Sequence, residues 1–579
     1  MPAPRSVPES MKQTSLPLLP IGGAVLAAAY LLPQGDAPWY SFWHEWVAAA
    51  GVLLMAVALL KRLATDGRPI RFMAGGSSAA AGVAFVLAGA SVAQAAAGQV
   101  AYHGDAILVA ACLIGFASCE VLARSQSHAQ RDALVDVLAA VFAAAAVLSL
   151  PIAFGQWLNL LQLDLGMPVA GGRPIGHLEQ ANLFCSLLML GVLGLWRLRE
   201  RGRLPLAVTF VLAVLLVLAI GLTQSRVAWI VALVVAGVTA ARGRRLALGR
   251  RTGVVIALAA LLFATVWLVP WIDQATGLQG ASLAERSSGG RRPEIWRLFA
   301  LAILRRPWLG WGVQSNGAAQ YALADDFDSF GYVLSSAHDL PLDLMLWFGL
   351  PLGALASVVL YATAASRWLR ARDAASHAAA TMVSVLPLHA LVEFPLHYAY
   401  FLLPLGLLLG ATSSVAEPAP SPVAPRRAPL APRAVLGVVT VGAIVLLAVL
   451  PREYTALTDN RPLLATDPVS KHDALIVQGD PPDVLLLDQL QGFHRFAEGP
   501  VRGGLSPAAL DALRVPLLRF PYGPAVERYA RVMALNGRDT EARNALRRVC
   551  KFETSPQCLG AQLAWSEWQW AGEPLPDWP

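Results

Sequence analysis

"LPLAVTFVLAVLLVLAIGL" (204–222) runs for nineteen residues without a charged side chain. At about 1.5 Å of rise per residue, a helix of that length comes close to crossing a hydrocarbon core of about 30 Å. Comparable apolar runs recur at approximately 15–33, 43–61, 76–93, 105–123, 133–154, 182–197, 227–241, 252–270, 342–365, 378–396, 398–415 and 434–450. They predict about thirteen membrane helices, and so an all-α, polytopic membrane bundle. Composition agrees. Of 579 residues, 56% are hydrophobic and only 14% charged, where soluble domains average about 25% charged. Arg5 and Lys12 stand ahead of the first apolar run as in a signal peptide, but the spans that follow make it a retained anchor.

The net charge of +7 is concentrated in alternate loops. Lys61, Arg62, Arg68 and Arg71 load one. Arg124 and Arg131 load the next, followed by Arg197 to Arg203, Arg242 to Arg251, Arg367 to Arg372, and Arg426, Arg427 and Arg433. The intervening segments 34–42, 94–104 and 396–398 hold no Lys or Arg. The positive-inside rule then puts the N-terminus in the cytoplasm, and an odd number of spans puts the chain beyond residue 451 on the far side. These basic loops read as topology signals, and no nucleic-acid partner is expected.

The expected organisation is a cytoplasmic N-terminus (1–14), a first part of the bundle (15–270), a large far-side loop (271–341) and a second part of the bundle (342–415). A Pro-rich cytoplasmic linker (416–433), a last span (434–450) and a far-side helical domain (451–579) follow. Loops as long as 271–341 inside a bundle are usually functional or disordered; the Trp and Arg content argues against disorder, and "RRPEIWRLFALAILRRPWLGWG" (291–312) has helical spacing before a Pro/Gly stop. In the last domain "SPAALDALRVPLLRF", "YGPAVERYARVMALNG" and "DTEARNALRRVC" read as short helices, which suits tetratricopeptide-like hairpins. Cys112, Cys119 and Cys185 lie in apolar spans, where Cys acts as a small hydrophobe. Cys550 and Cys558 bracket "KFETSPQ" and can form a local disulfide if their compartment is oxidising. No Cys or His spacing fits a metal site.

Four polar clusters fall on the far side. "GGRPIGHLEQANLF" (171–184) carries Arg173, Gln180 and Asn182, and reads either as part of a site or as a Gly-rich turn with a helix cap. "LTQSRVAWI" (222–230) places Ser225 and Arg226 between two spans. An Arg at bilayer depth costs about 2.5–3.5 kcal/mol on insertion scales, so it faces a cavity or snorkels to the interface. The long loop carries Arg291, Arg292 and Trp296, then "SSAHDLPLDLMLWFGLPLG" (335–353), with His338 just before a span. "HALVEFPLHYAYFLLP" (389–404) puts His389 and Glu393 on one helix face by i,i+4 spacing, either for the site or as a structural pair. Arg suits a bidentate grip on phosphate oxygens, and a His titrating near neutrality suits taking a proton from a hydroxyl. Together they suit a lipid-diphosphate donor and a hydroxyl acceptor.

In order along the chain these stretches resemble the PglL/PilO-type bacterial protein O-oligosaccharyltransferases of the O-antigen ligase and polymerase superfamily. "GRPIGHLEQANLF" resembles that family's Gly-Arg…Gly-Asn-Leu-x-Gln-Pro-Asn element, and "SRVAW" its Ser-Arg element. "RPEIWRLFALAILRRPWLGWG" is similar to the Arg-x-x-x-Trp…Pro-x-x-Gly-x-Gly loop, and "AHDLPLDLMLWFGLPLG" to the His-Asn-x-x-Leu…Gly-x-x-Gly element. "HALVEFPLHYAYFLLP" resembles the His-x-Leu-x-Glu-x-Pro-x-x-Tyr-x-Tyr-Phe element, which includes Tyr398. "PWYSFWHEW" (38–46) is similar to the Pro-x-x-x-Phe-x-x-Glu loop of the protein glycosylation ligases. The resemblance spans about 17–412.

The resemblance implies transfer of a preassembled glycan from undecaprenyl diphosphate to Ser or Thr of pilins or other exported proteins. It also implies a periplasmic site in the inner membrane, with no metal or other cofactor. It makes His338 the residue that activates the acceptor hydroxyl, and Arg226 and Arg292 binders of the diphosphate, with Arg291 and Arg173 as further candidates. Gln180, Asn182, Ser225, Trp296, Asp339, His389, Glu393 and Tyr398 are expected in support. Asp339 stands where the family has Asn, Glu179 where it has Gly and Ala181 where it has Pro. Asp339 is expected either to act on the neighbouring imidazole or to mark a different acceptor geometry. Rival readings are an O-antigen ligase acting on lipid A-core, a glycan polymerase, and a transporter or flippase.

Overall fold

The computed structural model describes residues 18–33, 35, 38–72, 79–160, 173–276, 290–413, 430–458 and 480–579. The expected N-terminal tail, most of the Pro-rich linker, part of the 271–341 loop and the first part of the last domain lie outside them. The described chain is helical, with no strand among the described residues. In order the helices are α1 (Leu18–Ala29), α2 (Phe42–Thr65), α3 (Ala79–Ala96), α4 (His103–Ser125), α5 (His128–Leu148), α6 (Leu150–Trp157), α7 (Ala181–Glu200), α8 (Leu206–Thr223), α9 (Arg226–Arg242) and α10 (Arg250–Thr276). After the loop come α11 (Arg292–Arg305), α12 (Asn316–Leu323), α13 (Leu340–Phe348), α14 (Leu350–Arg370), α15 (Ala374–His389), α16 (Ala399–Ala411) and α17 (Leu430–Thr458). The last domain holds α18 (Asp488–Glu498), α19 (Pro507–Ala512), α20 (Arg514–Arg519), α21 (Gly523–Leu535), α22 (Asp539–Val549) and α23 (Ser555–Trp570).

Every expected span falls on a helix or a broken pair of helices. Among the described residues, nine helices are long and apolar enough to cross a membrane. The other four, α1, α9, α15 and α16, are shorter, at 12, 17, 16 and 13 residues. This is a multi-pass membrane protein. Small residues let neighbouring backbones approach, which matters where lipid supplies no hydrophobic drive between helices. A Cβ on Gly51 of α2 would stand 2.7 Å from the Leu26 backbone nitrogen of α1, and one on Gly410 of α16 would stand 2.3 Å from the Glu120 carbonyl oxygen of α4. α17 buries only 6% of its apolar window, so it rides on the outside of the bundle.

The run 133–154 is interrupted at Ser149, between α5 and α6, and two further expected spans have breaks that build the site. The run 342–365 stops at Gly349, whose φ of 82° belongs to the left-handed region, and restarts as α14 with Pro351 in its first turn. The 308–312 segment wraps this break: Trp311 N donates to the Leu346 carbonyl at 2.7 Å and Leu350 N to the Pro307 carbonyl at 2.7 Å. The run 378–396 ends as a helix at His389, and 391–398 is a turn with one 3₁₀ segment at Pro395–His397.

The bundle has two chemically different ends. At one, the basic loops meet: Arg197 pairs with Asp136 at 2.9 Å, Arg131 donates to the Ser413 carbonyl at 2.6 Å, Arg242 to the Ala371 carbonyl at 3.0 Å, and Arg433 to the Leu63 carbonyl at 3.1 Å. At the other, the C-terminal domain sits over the helix ends. Arg519 grips Asp105 of α4 through two contacts of 2.7 and 3.0 Å, and Asp488 accepts the His103 and Gly104 amides, each at 2.9 Å. That domain has its own core, with Val526, Met533, Leu546 and Trp565 fully buried.

Candidate functional site

At the C-terminal-domain end, one carboxylate collects three elements distant in sequence. Glu393 lies in the turn between α15 and α16, with a side chain only 3% exposed. Its Oε1 accepts from the Arg292 guanidinium at the start of α11 and from Asn182 Nδ2 of α7 at 2.8 Å. Its Oε2 lies 2.7 Å from His338 Nδ1. Burial alone would raise this carboxyl, but the hydrogen bond from His338 and the charges of His338 and Arg292 outweigh it and hold Glu393 below the usual Glu value. An ionised carboxylate only accepts hydrogen bonds, so Nδ1 carries the proton of this contact, and Nε2 is the ring nitrogen that holds the lone pair whenever the imidazole is neutral. The imidazole is thereby oriented as a proton acceptor.

His338 is held there at a cost. Its φ of 51° is left-handed, a conformation costing about 1–3 kcal/mol that persists only where the surroundings enforce it. The enforcing group is Asp343 of α13, fully buried. It accepts from Ser336 Oγ at 2.6 Å, from the Ala337 amide at 2.8 Å and from Asn316 Nδ2 at 2.7 Å, and His397 Nε2 lies 3.3 Å away. Ser336 Oγ in turn accepts the His338 amide at 3.0 Å, and Leu340 N donates to the Ala390 carbonyl at 2.8 Å, joining this loop to that of Glu393. Sequence reasoning passed over Asp343, Asn316 and Ser336. An Asp four residues inside the apolar run after His338 was the available signal, since intramembrane carboxylates are rarely idle.

The other expected residues divide. Ser225 Oγ donates to Asn182 Oδ1 at 2.7 Å and so turns the Asn182 amide toward Glu393. Arg226 is the first residue of α9, directly after it. Arg173 donates to the Thr223 carbonyl at 2.8 Å, and its charge is felt by Glu393, Arg226 and Arg292. Burial pushes the Arg173 guanidinium down, and repulsion from Arg226 and Arg292 adds to this against the pull of Glu393. The guanidiniums of Arg226 and Arg292 thus lie near enough to Arg173 to repel it. Gln180 occupies the cap position before α7, after Glu179 at a φ of 59°. Tyr398 caps α16, its ring 5.9 Å from Phe394, which itself lies edge-on to His338 at 5.0 Å. Arg291 points away: it pairs with Glu294, donates to the Ser329 carbonyl and lies 4.4 Å over the Phe330 ring. Trp296 lies on α11 with its indole nitrogen buried and makes none of the Glu393 contacts. Cys550 and Cys558 are joined as a disulfide, remote from Glu393 in the C-terminal domain.

Two expectations are corrected. His389 and Glu393 do not form an i,i+4 pair, because α15 stops at His389 and leaves Glu393 off the helical register. His389 Nδ1 instead lies 2.7 Å from Ser186 Oγ. Asp339 does not act on His338. Its carboxylate caps α13 by accepting the Leu342 amide at 2.9 Å, and burial raises it to about 6. The carboxylate at the imidazole is Glu393.

Beside this cluster lies a cavity of about 850 Å³. Its deep part is apolar, walled by Val52, Ala56, Leu87 and Leu122 of α2 to α4 and by Val439 of α17. Its mouth is polar and aromatic, with Trp39, Tyr40, Gln180, Asn316, Arg519 and Tyr522. His338, Arg292 and Glu393 do not line it; Phe394, Gln180 and Ser335, which adjoin them, do. Glu45, from the "PWYSFWHEW" stretch, is at this mouth and accepts the Ala399 amide at 3.0 Å, fixing the start of α16. Among the described residues, no three His, Cys, Asp or Glu side chains gather as a metal ion would require.

Residues 211–357 match the family described as O-antigen ligase, and 377–557 the one described as virulence factor membrane-bound polymerase, C-terminal. A general O-oligosaccharyltransferase of Acinetobacter baylyi is 30% identical over 448 residues, 76% of each chain. The ComP-specific O-oligosaccharyltransferase of the same organism is 28% identical over 287 residues, 49% of this chain and 52% of the relative. The O-antigen ligase match includes the loops that carry Arg292 and His338, and the membrane-bound polymerase match the turn that carries Glu393. This chain belongs to the PglL/PilO-type O-oligosaccharyltransferases, within the O-antigen ligase superfamily.

Proposed function

We propose that this O-oligosaccharyltransferase moves a preassembled glycan en bloc from undecaprenyl diphosphate to a Ser or Thr hydroxyl of a pilin or another exported protein. The reaction runs without a metal at the periplasmic face of the bacterial inner membrane. The observation that carries the reading is the convergence of His338, Arg292 and Asn182 on Glu393, at the end of the bundle opposite the basic loops. With those loops in the cytoplasm, as the positive-inside rule requires, the site is periplasmic. The neighbouring cavity supports a lipid-linked donor, since it runs from apolar depth to a polar mouth.

His338 Nε2 takes the proton of the acceptor hydroxyl as its oxygen attacks the anomeric carbon. The bond from that carbon to the diphosphate oxygen breaks, and undecaprenyl diphosphate leaves with the electron pair. Glu393 stabilises the imidazolium through Nδ1. Arg292, Arg226 and Arg173 offset the charge growing on the leaving diphosphate. The second reading, transfer to lipid A-core, rests on the match to the O-antigen ligase family. Reconstituted protein supplied with undecaprenyl-diphosphate glycan, a pilin-like acceptor and lipid A-core decides between them. Glycan on the protein acceptor is expected, undiminished by a chelator. Transfer to lipid A-core alone would make the protein a ligase, and loss on chelation would end the metal-free reading.

A further inference from the structure

The C-terminal domain touches the site through a short relay. The Cys550–Cys558 bridge closes a loop at the end of α22. From this loop Lys551 Nζ donates to the Phe327 carbonyl at 2.6 Å, and the Lys551 carbonyl accepts the Phe330 amide at 3.2 Å. Phe552 stacks on Tyr321 at 6.0 Å, and Arg548 pairs with Asp325 at 2.6 Å. The segment 327–331 is thus held from the domain side. On its other side Arg291 donates to the Ser329 carbonyl and lies over the Phe330 ring. The next residue is Arg292, on Glu393, and the same segment runs on to Ser336 and His338.

We infer that the disulfide-closed loop positions the transfer site. Lys551, with the bridge behind it, clamps 327–331 against Arg291 and so sets Arg292 and His338 against Glu393. Arg291 and Lys551 are positioning residues and touch no substrate. The inference rests on the proposed transfer reaction and adds that its rate depends on an oxidised C-terminal loop. Geometry at a reacting centre is sensitive to this kind of support, since a misplacement of about 1 Å can cost on the order of 100-fold.

The test uses the full chain in lipid nanodiscs, with Lys551→Met, Lys551→Arg and the Cys550→Ser/Cys558→Ser double variant beside the parent. Expected is a fall in kcat on the order of ten-fold for Lys551→Met and for the double variant. Acceptor KM should stay at the parent value, and Lys551→Arg should restore the rate. Trypsin supplies a readout that needs no turnover. Cleavage after Arg291, identified by fragment mass, should be faster in Lys551→Met and in the double variant, because the Ser329 and Phe330 contacts are loosened. Parent rates and parent cleavage in both variants would overturn the inference. So would a slow double variant beside an unaffected Lys551→Met, which would leave the bridge a role in folding the domain alone. A parent protein that transfers no glycan to protein refutes the proposed function instead, while the cleavage result still judges the clamp.

Discussion

The two ends of the bundle use the same residue types to opposite ends. At the basic-loop end, several arginines are spent on tying loops together. Arg197 reaches Asp136 at 2.9 Å and Asp132 at 3.1 Å, Arg201 reaches Asp136 at 3.1 Å, and Arg124 donates hydrogen bonds to the Arg71 and Phe72 carbonyls at 2.9 and 2.6 Å. At the other end, Arg292 and His338 meet on one carboxylate, Glu393, and Arg173 feels its charge together with those of Arg226 and Arg292. This cluster adjoins a cavity whose lining is largely apolar. At the first end arginines tie loops together; at the second, Arg292 and His338 are set against each other on one carboxylate beside a cavity.

The comparison breaks first at His338. His338→Ala should lower kcat for glycan transfer by about 10²- to 10⁴-fold with little change in acceptor KM, as loss of a general base does. Transfer that survives the substitution would move the proton acceptor elsewhere. Arg292→Ala should cost about 10²- to 10³-fold, the range for removing a charge-stabilising donor, and should also free Glu393 from its ion pair. Steady-state kinetics on both variants, with donor and acceptor varied separately, measures the two losses. Equal losses in the Arg201→Ala protein would show that the two ends are not distinct.

At the structural end the loss should be of stability instead. Arg197 is 3% exposed at its side chain and Asp136 10%, and removing one partner of a buried pair costs about 3–5 kcal/mol. Arg197→Ala should therefore lower the Tm in detergent sharply while the remaining folded protein transfers glycan at the parent rate. A parent-like Tm would mean that Asp132 and Asp136 are satisfied by Arg201 alone.

The bundle was legible in the sequence because a bilayer demands long uncharged runs, and α8 or α10 can be read from composition alone. Breaks within those runs were not. Gly349 and Pro351 look like ordinary residues of a span until the 308–312 segment is seen wrapped around them. The i,i+4 reading of His389 and Glu393 assumed a continuous helix, and the true partners of Glu393 lie 211, 101 and 55 residues away in sequence. His338 and Arg292 were legible as residues but not as neighbours, for contact between distant loops leaves no local period. Asp343 was overlooked because one acidic residue barely changes the hydropathy of its run.

The smallest effect should come from Asp339, where this chain departs from the Asn of its family resemblance. Burial raises its carboxyl to about 6, against about 3.9 in an unfolded chain. Between those values the folded protein keeps a proton that the unfolded chain has released, so stability falls as pH rises from about 4 to about 6. It stays lower at neutral pH. Asn cannot ionise and caps a helix as well as Asp does, so Asp339→Asn should preserve the contact to Leu342 N and remove the penalty. Discounted for the partial exposure of the side chain, the gain near pH 7.5 is on the order of 1 kcal/mol or less. At pH 4 the two proteins should unfold alike. Tm measured in detergent at both pH values checks this, and a variant less stable at pH 7.5 would contradict it. Transfer should continue at close to the parent rate, because Glu393 rather than Asp339 orients His338. A loss comparable to that of His338→Ala would instead give the imidazole to Asp339.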